Sequence, residues 1–199
     1  DSNLIWARAP GPVHHDMDIT NDGEIFVLTR VPQMMPWVSE EKPIVNDAIT
    51  QIDTNGEVVR VVSILECIRN AGEDALLAEL KANVPRDNGD VLHTNSIEVL
   101  DGSIVDRAPA FQKGRILLSV RHIDAIMVVD LEREEVVWWH KGAYKNQHDA
   151  GILDNGNMMV FDNNQHGKKS AIREFDVATG EEKWKYMGTA EKPFFAFQS

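Results

Sequence analysis

His148-Asp149-Ala150-Gly151-Ile152, Leu153-Asp154-Asn155-Gly156-Asn157, Met158-Met159-Val160-Phe161, Ala171-Ile172-Arg173-Glu174-Phe175-Asp176 and Glu181-Glu182-Lys183-Trp184 follow one another as short β-prone runs punctuated by turns. Asn155-Gly156 is a strong two-residue hairpin signal, and the apolar run after it reads as a buried strand. The pattern recurs upstream. His15-Asp16-Met17-Asp18-Ile19 continues through Thr20-Asn21-Asp22-Gly23-Glu24 into Ile25-Phe26-Val27-Leu28, in step with the later copy. Between them, His93-Thr94-Asn95-Ser96-Ile97 is followed by Ile116-Leu117-Leu118-Ser119-Val120, Ile126-Met127-Val128-Val129-Asp130 and Glu135-Val136-Val137-Trp138. Ile52-Asp53-Thr54-Asn55-Gly56-Glu57-Val58-Val59 closes the first unit as a weaker copy without Trp.

Four short strands per unit, recurring roughly every 40 to 80 residues, mark propeller blades. A β-sandwich is the alternative, but nothing in it calls for a repeated His-x-x-x-Ile frame. The expected fold class is therefore all-β, a β-propeller of four-stranded blades at about 14–63, 93–140 and 148–187. Residues 1–8 and 193–199 read as parts of neighbouring blades. A helical and loop insertion is expected over 64–92, where Ile64, Leu65, Ile68, Leu76, Leu77 and Leu80 alternate with charged residues. A second insertion, Asp101 to Lys113, is expected to overhang the channel mouth. Three blades cannot close a ring, because propellers use about four to eight. Closure is left to further sequence, another subunit or another copy of the chain.

Composition narrows the partners. Of the 199 residues, 43% are hydrophobic and 26% charged, as in ordinary globular proteins. A formal charge of −12 with no basic run excludes a phosphate-tracking surface, so nucleic acid is not an expected partner. No run approaches the roughly 20 apolar residues of a membrane span. Cys67 is the single cysteine, so cysteine supplies neither a disulfide within the chain nor a zinc cluster. The opening residues lack the basic-then-apolar pattern of a leader, and upstream sequence stays open because they begin at Asp1.

In a propeller the first strand of each blade lines the central channel, so His15, His93 and His148 are expected to converge at one mouth with Asp16, Asn95 and Asp149 as polar companions. Each His could instead cap its own blade. Three histidines can ligate zinc, yet their spacing carries no local metal signature. Arg121, behind the channel strand of the middle blade, repels a divalent cation and suits a sulfate or phosphate ester. Neither a metal nor a cofactor is expected. Trp138, Trp139 and Trp184 read as packing between blades, Asp176 to Gly180 as a connecting turn, and His122, His140 and His166 as surface residues.

Three motifs carry a resemblance: Leu92-His93-Thr94-Asn95-Ser96-Ile97, Ser119-Val120-Arg121-His122-Ile123-Asp124-Ala125-Ile126, and Gln147-His148-Asp149 with its Asn155-Gly156-Asn157 turn and Phe161-Asp162-Asn163. With His14-His15-Asp16 upstream, the chain resembles the bacterial arylsulfotransferase propellers over nearly its whole length, least over 31–90. The resemblance implies a six-bladed, periplasmic or secreted protein that moves a sulfuryl group from a phenolic ester to another phenol without a phosphoadenosine donor. It further implies a sulfohistidine at His148, with His15, His93 and Arg121 holding sulfate oxygens or protonating the leaving phenolate and Asn95 adding a hydrogen bond. His14 competes with His15. Arg30, placed after Gly23 as Arg121 is after Gly114, is a second oxyanion candidate or an exposed blade-edge residue. The family's site also draws on blades beyond Ser199. Two rival readings are a propeller retained for binding or assembly and a metal-dependent propeller lyase.

Overall fold

The computed structural model describes residues 3–4, 6–7, 11–83, 89–163, 169–189, 191–192 and 194. Three antiparallel four-stranded sheets carry the fold. The first blade is β1 (Val13–Ile19), β2 (Ile25–Gln33), β3 (Ile44–Ile52) and β4 (Val58–Ser63). Helices α1 (Ile64–Ala71) and α2 (Asp74–Asn83) follow. The second blade is β5 (Thr94–Val99), β6 (Ile116–Val120), β7 (Ala125–Asp130) and β8 (Glu135–His140), and the third is β9 (His148–Ile152), β10 (Met158–Asp162), β11 (Ala171–Phe175) and β12 (Glu182–Tyr186). Each sheet is a simple meander in chain order. Most of the expected neighbouring-blade segments at 1–8 and 193–199 lies outside the described residues, as does His166.

The middle blade shows why these sequences stack. Successive side chains of a strand point to opposite faces, and β6 and β7 are apolar on both. Ile116, Leu118, Val120, Met127 and Val129 join one core with Phe26, Leu28, Ile49 and Val62 of the first blade. Leu117, Ile126 and Val128 join another with Ala150, Met158, Val160 and Phe175 of the third. Continuous apolar runs thus make sense as sheets covered on both sides. Trp138 follows this rule by packing on Phe111, and Trp139 by meeting the first core. Trp184 departs from the expectation: on β12 it is 49% exposed, stacked only on Tyr186 among the described rings.

Two turns also differ from the sequence reading. Gly23 N–H donates to Thr20 O at 2.9 Å, and Gly156 N–H to Leu153 O at 2.7 Å. The turn centres are therefore Asn21-Asp22 and Asp154-Asn155, and each glycine follows in left-handed conformation (φ 84° and 77°). This is the longer hairpin connection closed by a glycine bulge, not the two-residue turn.

Helix α1 starts at Ser63, whose hydroxyl accepts from Glu66 N–H, and ends at Gly72 with φ 65°. It buries Ile64, Leu65, Cys67 and Ile68. Burial, with nearby Glu134 and Glu66, pushes the Cys67 thiol up to about 12, so it packs as an apolar side chain. In the third blade Arg173 Nε donates to Asp162 Oδ2 at 2.7 Å, and both residues are buried. Arg173 Nη1 also donates to Glu182, so Asp162→Ala leaves the guanidinium one carboxylate while removing its bonds from Arg173 Nε and Lys145 N–H, and is expected to destabilise the fold by about 1.5–3 kcal/mol. Urea unfolding with an unchanged slope checks this, and a loss within measurement error would refute it.

Candidate active site

The inner strands β1, β5 and β9 are tied to one another by side chains that cap the next strand's N–H groups. Asp16 and Asp18 accept from Ile97 and Val99 N–H at 3.0 and 2.7 Å. Ser96 and Glu98 accept from Ala150 and Ile152 N–H at 3.2 and 3.0 Å. This repeated strap fixes the phase of the blades. Ile19 pairs with Ile25 and Ile152 with Met158 at the first hairpins, whereas the middle blade closes on Val99 and Ile116. Asn95 therefore stands in the place of His15 and His148, and His93 lies two residues further out along its strand. The shared His-x-x-x-Ile frame misplaces the middle blade by one strand repeat.

His93 still joins the others because backbone conformation brings it back. His15 and His93 both have left-handed φ, 56° and 51°, at a cost of about 1–3 kcal/mol each for non-glycine residues. Their rings meet edge to face at 4.9 Å. His14 Nδ1 lies 2.8 Å from His15 Nδ1 on one side, and on the other the His93 ring packs at a 39° tilt against His122, centroids 4.7 Å apart. Arg121 Nη1 then donates to His122 Nε2 at 2.9 Å. The row runs His14, His15, His93, His122, Arg121, and His148 is within electrostatic reach of His15, His93 and Arg121.

His148 is held by its neighbours on both sides in sequence and space. Gln147, fully buried, donates to Val120 and Ala125 carbonyls at 3.1 and 2.9 Å. Its own carbonyl accepts from Asn95 Nδ2 at 2.8 Å. One residue thereby locks the third blade's first strand onto the second blade. His148 Nδ1 lies 3.2 Å from Asn146 O and 3.0 Å from the Asn163 amide. The Asn146 carbonyl only accepts and calls for a proton on Nδ1, whereas the Asn163 amide N–H only donates and calls for a bare Nδ1; with the Nδ1 proton turned to Asn146, the Nε2 lone pair is left for chemistry. Burial first, and then the Arg121 charge, holds the His148 imidazole below its ordinary range. His15 is lowered by burial and by His93 and His148, and His14 by burial, His15 and Arg30 to about 4.

The other expected site residues fall into two groups. His14 sits behind His15, its Nε2 3.7 Å from Asp47 Oδ1 and its side chain 6% exposed. Arg30, half-buried and opposite Asp47 in the β2–β3 ladder, is close enough to act on His14 and His15 and is not an exposed edge residue. Asn95 is buried with one N–H committed to Gln147, while its Oδ1 has no hydrogen-bond partner among the described residues. Asp16 serves the inter-blade strap, and Asp149 is exposed.

Two histidines correct the sequence reading. His122 is buried inside the row, because Arg121 to Ile123 turn inward as a 3-10 turn backed by α2. His140 is half-buried, with its ring stacked on Trp138 and Nδ1 3.1 Å from Tyr144 Oη. The Asp101–Lys113 loop is corrected too. It lines a cavity of about 950 Å³ together with Ile19, Val99 and Ile152, at the end of the inner strands opposite the histidines.

Asp90 is a site residue that sequence reasoning missed, since it lies before β5 with no repeat to mark it. Its carboxylate lies 2.6 Å from His93 Nδ1 and 3.0 Å from His93 N–H, and its carbonyl accepts from His122 Nδ1 at 2.8 Å. Asp90, His93 and His122 bring three donor atoms within 4.8 Å of one another, the spacing a transition metal could use. Those donors are engaged with each other, however, and a guanidinium lies against His122. The arrangement fits an anion in front of it better than a cation within it.

A family model described as Arylsulfotransferase (ASST) matches residues 11–189. No curated protein gives a significant match. Among solved structures, a Bacteroides caccae protein of unknown function is similar at 12% identity and TM-score 0.52, over 92% of this chain and 49% of its own. A selenomethionine-substituted virginiamycin B lyase from Staphylococcus aureus aligns at 10% identity and TM-score 0.44, over 88% and 41%. The chain thus spans about half the length of these structures or less. No helix among the described residues is long and apolar enough to cross a membrane. With its four-stranded blades and a family match across almost all of its length, the chain belongs to the arylsulfotransferase family.

Proposed function

We propose that this chain carries the sulfuryl-transfer site of an aryl sulfotransferase, passing the group from a phenolic sulfate ester to a phenol through a sulfohistidine at His148. The observation that carries the reading is the His148 imidazole, kept neutral by burial and fixed at Nδ1, beside Arg121 and a row of histidines. The Nε2 lone pair forms an N–S bond as the S–O bond to the first phenol breaks, and that oxygen leaves with the electron pair and takes a proton. The second phenol then gives up its proton, its oxygen attacks sulfur, and the N–S electrons return to His148. Two easier steps replace one difficult step.

Sulfuryl transfer, like phosphoryl transfer, has a loose transition state, so fixed donors at the oxygens do most of the work. Arg121 supplies a forked donor, with His15 and His93 beside it as donor and acid–base groups. Arg30 and His14 stand behind them as the second layer of the pocket. Asn95 adds a hydrogen bond, its buried Oδ1 having no partner among the described residues. The partners are a small aryl sulfate and a phenol acceptor. Further blades come from additional sequence or another copy, and the protein is assigned to the periplasm or the exterior.

The full-length protein with 4-nitrophenyl sulfate and phenol tests this. Parallel double-reciprocal lines are expected as acceptor is varied, whereas intersecting lines would contradict a covalent intermediate. The pH profile has a defined sign. His148 must be neutral to attack, and its lowered range means kcat/KM stays level as pH falls through about 6.5 and drops only at more acid pH. A midpoint above the ordinary imidazole value would refute the assignment.

A further inference from the structure

We propose that Asp90 is the positioning residue of the site: its carboxylate sets the tautomer of His93, and its carbonyl sets that of His122, which in turn orients Arg121. The proposal rests on the sulfuryl-transfer reading and adds to it a residue outside the blade repeat.

The backbone around Asp90 is held on several sides. Asp90 bridges to Val45, and Val45 N–H donates to Gly89 O at 2.9 Å. Gly89 has φ +71°, and a Cβ there would lie 2.9 Å from Pro43 O. The carboxylate then takes both the backbone N–H and Nδ1 of His93, at 3.0 and 2.6 Å. An ionised carboxylate only accepts, so Nδ1 of His93 carries a proton in either charge state of the ring, and Nε2 is the nitrogen that gains and loses one. The Asp90 carbonyl likewise requires a proton on His122 Nδ1, which leaves His122 Nε2 to accept from Arg121 Nη1 at 2.9 Å. Every proton position from Asp90 to the guanidinium follows from one residue. Burial would raise the Asp90 carboxyl, but the His93 hydrogen bond and the His93 and His122 charges outweigh it and keep it ionised.

The chemical consequence concerns the leaving phenolate. When the S–O bond breaks, the departing oxygen takes the proton held on Nε2 of the His93 imidazolium. The same Nε2 accepts the proton of the attacking phenol in the second half-reaction, restoring the imidazolium. The carboxylate of Asp90 stabilises that cation whenever Nε2 holds its proton and is not itself protonated, a general arrangement for histidine acid–base groups.

Asp90→Asn in the full-length protein tests this with aryl sulfates of graded leaving-group acidity. In kcat/KM for the donor, which reports the first half-reaction alone, little change is expected with 4-nitrophenyl sulfate, whose leaving group needs no acid, and a fall of about 10–100-fold with unsubstituted phenyl sulfate. A merely structural role would lower all donors alike, and that result would overturn the proposal. His122→Gln is expected to raise KM for every donor through a misaligned Arg121 with the leaving-group slope unchanged. Nitrogen-15 NMR of the histidine rings gives a readout independent of turnover. Once deprotonated at alkaline pH, wild-type His93 should be the Nδ1–H tautomer and shift toward Nε2–H in Asp90→Asn. A wild-type Nε2–H tautomer, or stoichiometric zinc uptake abolished by the substitution, would overturn it. A wild-type protein that transfers no sulfuryl group yet shows the Nδ1–H tautomer would refute the enzymatic reading and leave the positioning claim standing.

Discussion

His148→Ala is expected to lower sulfuryl transfer by about 10⁴–10⁶-fold, the scale on which loss of a covalent nucleophile or its triad partners reduces turnover. The reason lies in how completely the residue is prepared. The Asn146 carbonyl and the Asn163 amide both anchor its Nδ1, and Gln147 ties the strand before it to β6 and β7. No other imidazole in the row has this combination. His14 faces Asp47, His93 is bound to Asp90, and His122 is held between Asp90 and Arg121. Residual transfer in His148→Ala should therefore be no faster than sulfate-ester hydrolysis aided by the remaining donors. Steady-state assay with folding checked by circular dichroism decides it, and near-normal turnover would refute the assignment.

Arg121→Ala is the second large effect, expected to cost about 10²–10³-fold in kcat, the usual result of deleting one fixed donor to a developing oxyanion. Its guanidinium is aimed by His122 and backed by α2, so the charge is in place before substrate arrives. Arg121→Lys should recover only part of the loss, because an ammonium keeps the charge but lacks the planar fork that matches two sulfate oxygens. Equal activity of the Lys variant and wild type would show that charge alone suffices. An unchanged kcat in Arg121→Ala would remove the guanidinium from the chemistry.

The sequence makes the blades legible because strand alternation, turn glycines and apolar runs are local signals, as in His148 to Trp184. It also brings His15, His93, His148 and Arg121 to one end of the inner strands. It does not reveal the phase of the middle blade. That phase is set by Asp16, Asp18, Ser96 and Glu98 strapping one strand to the next, a pairing between residues distant in sequence. His122 reads as a surface residue because nothing local announces that α2 backs its turn and presses it inward. Asp90 escapes notice for a related reason. It lies outside every repeat, and its importance comes from Val45 and Gly89 fixing its backbone. The hairpin glycines show the limit on a small scale: Asn155-Gly156 announces a turn, but which residues form its centre depends on the bond from Gly156 to Leu153.

The central claim is that histidines from separate blades and a guanidinium form one pocket for a tetrahedral anion, with the covalent bond made at a single nitrogen. Peptide mapping of the full-length protein after exposure to 4-nitrophenyl sulfate without acceptor tests it most directly. The account predicts one added sulfuryl group, on His148, discharged when phenol is supplied. An adduct on His15 or His93, or turnover with no adduct on any histidine, would contradict it.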